Sequence, residues 1–397
     1  MRLRHADGQL VHLSYCTNVH PAEDLDGIIG QLDTYARPVR ERLDADVLGL
    51  GLWLAAPVAA ALAADAGQRR RLRRELSARG LEVVTLNGFP YRSFQAPVVK
   101  HAVYHPDWST TERLDYTLDL ARILVDLLPD DAARGSISTL PLAWREPWDT
   151  ARADACARQL DRLAAGLADL GRQSGRPVRV AFEPEPGCVV ESTADAARWL
   201  PAVDTEWLGI CLDLAHLACA WEDPAAALAT LRAAGLPVVK VQVSAALGAD
   251  APQRDAEVLR GYVEPRFLHQ TRSVHGPAAD DLDAALDADL PGPWRVHYHV
   301  PLHAAPAAPL TSTVPVLRAA LGELLGGDTA GCDHLDVETY TWGVLPAAHR
   351  PQTTEQLAGG IAAELAFARD ELCALGLSLE SRPAADRTSP SYSEVTR

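Results

Sequence analysis

Three carboxylates in this chain each close a run of apolar residues: Glu183 in VAFEPEP, Asp213 in ICLDLAH and Glu338 in LDVETYTW. An unpaired charge at the end of a buried run opposes folding by several kcal/mol. Three such groups brought together would repel unless a cation stood between them. A divalent metal removes that conflict, and carboxylates with one imidazole suit Mn, Mg, Co, Fe or Zn. The alternative is that each carboxylate pairs with a strand arginine or lysine, such as Arg179, Lys240 or Arg295.

Other polar residues close or follow apolar runs in the same way: Asn18, His20, Asn87, Thr139, Gln242 in KVQVS, and His297 and His299 in RVHYHVP. His216 lies three residues after Asp213, so both can face one pocket. His297 and His299 alternate with period two and share a face of their strand. If that face is inward, His299 reaches the metal and His297 sits lower; if outward, both are packing residues. His12, His101, His105, His275 and His349 show no partner in the sequence and are assigned no role. Aromatic residues crowd the same stretches, among them Phe89, Tyr91, Tyr104, Trp108, Trp144, Trp148, Trp221, Tyr340 and Trp342. Ring faces with a few polar groups between them line sugar and polyol pockets, and they also pack loops against a rim.

The elements that must position these residues are short β-rich runs alternating with longer helical patterns. Leu10–Asn18, Val47–Leu54, Leu81–Phe89, Ser136–Leu142, Val178–Pro184, Leu208–Asp213 and Val238–Ser244 read as strands, apolar almost throughout as parallel strands buried on both faces are. Glu23–Leu43, Pro57–Arg79, Thr111–Leu128, Thr150–Arg172, Thr193–Leu200 and Pro224–Ala234 read as helices between them. Ser192 to Asp195 and Asp223-Pro224 are helix-start signals. This alternation predicts a parallel α/β sheet, and no GxGxxG or Walker loop follows an early strand. Arg295–Val300 and Leu335–Tyr340 bring the candidate strands to nine, one more than a (β/α)8 barrel holds. Either Val238–Ser244 or Arg295–Val300 is the seventh barrel strand, and the other is accessory. The prediction is a single barrel over 1–380, with an insertion at about 245–293, a rim hairpin near Phe267–Val274 and a disordered tail at 381–397. The helix Thr313–Leu325 leads into the eighth strand, and Thr353–Leu375 closes the ring.

The totals exclude several functions. A formal net charge of -16 disfavours binding along a phosphate backbone or on an anionic membrane. The basic run Gln68–Glu75 reads as one solvated helix face. Seven scattered cysteines without a CxxC suit a reduced compartment. The opening MRLRHADGQL has no apolar run, and no stretch is long enough for a membrane span, so a cytoplasmic protein is expected.

FEPEP at one strand end, CLDLAH at the next and VET at the last resemble the xylose isomerase-like sugar isomerase/epimerase barrels. That resemblance implies that Glu183, Asp213 and Glu338 bind one divalent metal together with a histidine, and that His216 contacts substrate. Where the family has its metal-binding histidine, the strand after DxxH offers Gln242; HYHVPLH offers His299, which is preferred here. Further residues expected to line the substrate pocket are Asn18, His20, Asn87, Phe89, Tyr91, Gln242, His297 and Trp342. More narrowly, YCTNVHPAE, TLNGFPY, SISTLPL, KVQVSAAL, FLHQ and VETYTWGVLP are similar to the EboE-type metabolite traffic proteins. These are encoded beside prenyltransferase-like, cyclase-like and hydrolase-like proteins, which implies a role in making or moving a small metabolite. The activity implied is isomerisation or epimerisation of a sugar, polyol or cyclitol-like compound, with Glu183 and Glu338 as base and acid. A carrier without turnover is the alternative, and homo-oligomerisation is left open. Endonuclease-like hydrolysis, also found among such barrels, conflicts with the acidic surface.

Overall fold

The structure is a computed structural model that describes residues 1–380; the tail expected at 381–397 lies outside the described residues. Eight parallel strands form a closed barrel: β1 (Leu10–Cys16), β2 (Leu48–Trp53), β3 (Leu81–Asn87), β4 (Gly135–Thr139), β5 (Val178–Phe182), β6 (Leu208–Asp213), β7 (Val238–Val243) and β8 (His334–Val337). Closure comes from β8, which pairs in parallel with both β7 and β1. The expected alternation of strands and helices therefore holds around the ring. Val238–Val243 takes the seventh place.

Trp294–His299, the other candidate, belongs to a separate 5-stranded sheet outside the barrel. It pairs antiparallel with Ala246–Ala249 on one side and Thr271–Ser273 on the other. Thr311–Ser312 adds to the same sheet, so the excursion runs past the expected end at 293. Because this strand is also buried on both faces, its sequence looks like that of a barrel strand.

Local signals set the helix ends. Ser192 and Asp195 form a reciprocal capping box at the start of Thr193–Trp199, and Asp223 caps Pro224–Ala233. Thr150–Ser174 ends on Gly175, whose φ of 68° is open to glycine without strain. The stretch read as one helix over Pro57–Arg79 is two, Ala56–Ala64 and Ala66–Ala78, because Asp65 turns away to cap the second. Arginines of that second helix pair with Asp126, Asp26 and Asp130 on neighbouring elements, so the basic run is a solvated, ion-paired face. His12 departs from expectation: it is buried, 3.4 Å from Glu82, at the start of β1. Among the described residues no helix is long and apolar enough to cross a membrane.

Candidate metal centre

The carboxylates converge at the C-terminal mouth of the barrel because each ends or follows a barrel strand. Asp213 ends β6 and caps the helix Leu214–Cys219. Its Oδ1 accepts from Ala215 N at 2.8 Å, His216 N at 2.9 Å and Ser244 Oγ at 2.8 Å. Oδ2 is left without a hydrogen-bond donor, 3.9 Å from His216 Nε2 and 3.8 Å from His299 Nε2. Glu338 follows β8, and its Oε1 accepts the side-chain amides of Asn18 at 2.7 Å and Asn87 at 2.8 Å. Glu183 follows β5, with Oε1 4.0 Å from His216 Nδ1 and Oε2 unpaired.

His299 and His297 do point to the same side, toward this mouth, although their strand is accessory. His299 Nδ1 lies 2.7 Å from the Glu338 carbonyl oxygen, which can only accept, so the ring hydrogen sits on Nδ1. Its Nε2 is then a lone pair, buried and without a partner. His297 is not lower in a barrel, since its strand is not a barrel strand; it lies beside His216, with 2.9 Å between their Nε2 atoms. Gln242 points its amide inward from β7, and neither its oxygen nor its nitrogen finds a partner.

These groups suit a divalent cation. Glu183, Asp213 and His216 can each offer a donor atom within 4.8 Å of the others, and so can Asp213, His299 and Glu338. Among the described residues the competing arrangement, pairing with an arginine or lysine, is not found. Lys240 pairs with Asp336 at 3.0 Å, Arg179 donates to the Thr205 carbonyl, and Arg295 donates to the Ala218 carbonyl and stacks on Trp221. Burial, then Glu338 and Asp213, push the Glu183 carboxyl well above its ordinary range. Burial and Asp213 push Glu338 up to about 8, and burial lowers His216 to about 4. Such shifts mark charges collected without their counterion.

A cavity of about 50 Å³ opens on these residues. It is lined by Glu183, His216, His297, Glu338, Asn18, Asn87 and Phe89 of the expected set, with Phe94, Val99, Tyr104, Phe267 and Tyr340 forming much of the remaining wall. Four expected substrate contacts do not line it: Gln242, His20, Tyr91 and Trp342. His20 is buried, stacked on Tyr35 at 4.1 Å and 3.2 Å from Tyr15 OH; Tyr91 packs edge-on against Tyr116; Trp342 donates to Glu364. Glu185 is a lining residue that the sequence reading passed over. It accepts from Tyr104 OH at 2.9 Å and lies 3.1 Å from His216 Nε2. The signal was present in FEPEP, where Glu183 and Glu185 are two residues apart.

A closed parallel barrel with carboxylates and imidazoles gathered at its C-terminal mouth defines a TIM-barrel protein with a candidate metal centre. The model of the xylose isomerase-like TIM barrel family matches residues 43–272. The chain belongs to that family. Among solved structures it resembles a D-allulose 3-epimerase from Methylomonas sp., at 12% identity, covering 91% of this chain and 98% of that one, with a TM-score of 0.51. An L-ribulose 3-epimerase is similar at 12% identity, 92% and 96% coverage and a TM-score of 0.51. A xylose isomerase-like TIM barrel protein from Mycobacterium smegmatis, solved in complex with magnesium, is similar at 14% identity, 93% and 99% coverage and a TM-score of 0.50. At these identities the likeness is one of fold. No curated protein matches the chain.

Proposed function

We propose that this protein is a metal-dependent isomerase or epimerase acting on a sugar, polyol or cyclitol-like metabolite by moving a proton beside a carbonyl. The observation that carries the reading is the set of buried donor atoms without partners, Glu183 Oε2, Asp213 Oδ2 and His299 Nε2, beside a small cavity that Glu183 and Glu338 line. Glu183, Asp213, His299 and Glu338 would hold the ion, with Gln242 the alternative to His299. When bound, a divalent ion supplies Lewis-acid polarisation of a carbonyl and its neighbouring hydroxyl.

The chain's own groups perform the rest. Glu183 and Glu338 both face the cavity, and their raised affinity for protons suits one to take a proton from the substrate carbon and the other to return it. Asn18 and Asn87 fix Glu338 through its Oε1 and leave its second oxygen for the substrate side. Phe89, Phe94 and Phe267 exclude water from the reacting carbon. The fold shared with the two ketose 3-epimerases supports the class of reaction, and the narrower EboE-type resemblance supports a place in a biosynthetic or export pathway. Glu183→Gln is expected to abolish turnover of ketose or cyclitol substrates while metal content by elemental analysis, at saturating metal, stays nearly unchanged. Normal activity in that variant would reject these roles.

Gln242 favours a second reading, a carrier that binds a metabolite without converting it. Calorimetric titration with cyclitols, followed by product analysis, separates the two: saturable binding without product supports the carrier.

A further inference from the structure

An open groove of about 550 Å³ shares no lining residue with the cavity at the barrel mouth. It runs between the loops after β4 and β5, the helix Thr193–Trp199, the end of Leu214–Cys219 and the accessory strand Thr271–Ser273. Its volume falls within the ~300–1,000 Å³ of small-molecule sites, which the mouth cavity does not reach. Three half-buried indoles line it, those of Trp148, Trp199 and Trp221. Trp148 and Trp199 meet edge to face, with ring centroids 5.7 Å apart. Trp221 is held at a φ of 57°, a left-handed conformation that is costly for a bulky residue. Its Nε1 donates to the Arg272 carbonyl at 3.1 Å, and Arg295 covers one face of its ring at 3.8 Å. Only the opposite face is then open to a ligand. Val274, 41% exposed, extends the apolar lining.

Charge tells what would lie on those rings. Arg145, Arg198 and Arg272 line the groove with only two carboxylates, Glu191 and Asp195, so its lining is net positive in a chain of formal net charge -16. Arg272 binds Glu191 at 2.5 and 3.0 Å, Arg145 pairs with Asp280, and Asp195 closes the capping box with Ser192. Arg198 has no carboxylate partner among the described residues. Its guanidinium stacks on Trp199, with Cζ 5.1 Å from the ring centroid, which leaves a fork of donors free beside an aromatic face. Burial pushes the Cys188 and Cys219 thiols up, so they stay protonated and unreactive, and the lining suits binding better than reaction. From this geometry we infer that the groove is a ligand site for a flat-ringed anion, with the ring against the tryptophans and its carboxylate or phosphate on Arg198. Nothing in the inference depends on the proposed ion or reaction.

The test is calorimetric titration of the full chain with naphthoate, adenosine monophosphate and uncharged naphthamide. One equivalent of naphthoate or of the nucleotide is expected to bind saturably, and which of the two binds more tightly tells carboxylate from phosphate. Naphthamide should bind at least about tenfold more weakly than naphthoate, and Arg198→Gln should erase that difference, as loss of a charge-assisted hydrogen bond implies. Trp199→Ala should weaken both naphthalene probes. Failure of both anions to bind, equal affinity for naphthamide, or binding that Arg198→Gln leaves unchanged overturns the site. A dimer in sedimentation that Arg198→Glu dissociates would make the groove a face between copies, and would overturn it too. Arg198 is exposed, so its variants are expected to fold, and circular dichroism verifies this. If Trp199→Ala unfolds, the Arg198 variants decide alone.

Discussion

Asp213 does two jobs with its two oxygens. Oδ1 satisfies the first amides of a helix, which locks the carboxylate, and Oδ2 is thereby aimed at His299. His299 is locked in turn by its Nδ1 contact with the Glu338 carbonyl. This pairing argues for His299 over Gln242 as the fourth ligand, since an imidazole lone pair without a donor suits a cation directly. His299→Gln should weaken Mn2+ or Co2+ binding by at least about tenfold, a loss seen even when only the partners behind a ligand are removed. Gln242→Leu should change it less, and the reverse order in equilibrium dialysis would transfer the role to Gln242. The same residues set a pH dependence. Glu338 keeps its proton up to about 8 in the folded protein against an ordinary 4.5, and Glu183 is shifted the same way. Over that interval the unfolded chain releases protons that the metal-free folded chain retains, so stability falls as pH rises. Denaturant midpoints of metal-free protein should decline from about pH 5 to about pH 8, and saturating metal should flatten the decline. A flat or rising metal-free profile would mean that the carboxylates are compensated without an ion. Glu183, Asp213 and Glu338 were legible in the sequence because a charge ending an apolar run is conspicuous. Glu185 was not, because it follows the strand by several residues and draws its burial from Tyr104 and His216, far away in sequence.

The segment from Phe89 to Tyr104 lies over the cavity and contributes much of its wall. A volume of about 50 Å³ holds a few waters, well short of the ~300 Å³ typical of small-molecule pockets, so a substrate enters only when wall elements move. Backbone bonds from Val99 N and Lys100 N to the Arg266 carbonyl, at 2.7 and 2.9 Å, clamp this segment to the accessory region. Lys100 adds an ion pair with Asp281. Lys100→Met should speed amide hydrogen exchange at residues 99–102 severalfold while the barrel strands stay protected. Unchanged exchange would show that the backbone bonds alone keep the segment in place. The sequence could not have revealed this clamp. A buried strand such as Trp294–His299 carries the same apolar pattern whether its neighbours run parallel or antiparallel, so the accessory sheet was hidden behind a surplus barrel strand. The barrel helices were easier to read, because their caps, such as Ser192 and Asp223, are local chemistry.

Across the whole molecule, a polar core runs inside the barrel beneath the candidate metal centre. Lys240 and Asp336, both fully buried, pair at 3.0 Å between β7 and β8, and Ser14 donates to Asp336 at 2.8 Å from β1. These three strands are where the barrel closes. Gly51 on β2 makes room for the pair, since a Cβ there would stand 1.8 Å from Asp336 Oδ2. The alternation of strands and helices was enough to predict the barrel, yet not this interior. Lys240 looked available to neutralise the carboxylates at the barrel mouth, and only the closed ring shows it committed to Asp336. The pair therefore leaves the mouth of the barrel short of positive charge, which is the condition that favours an ion there. Removing one partner of a buried pair costs about 3–5 kcal/mol, because the other charge is stranded. Lys240→Met should lower stability by that order in denaturant unfolding, and Lys240→Met with Asp336→Leu should recover much of it. Should the double variant be no more stable than the single one, the pair would be holding the strands in register, beyond balancing each other's charge.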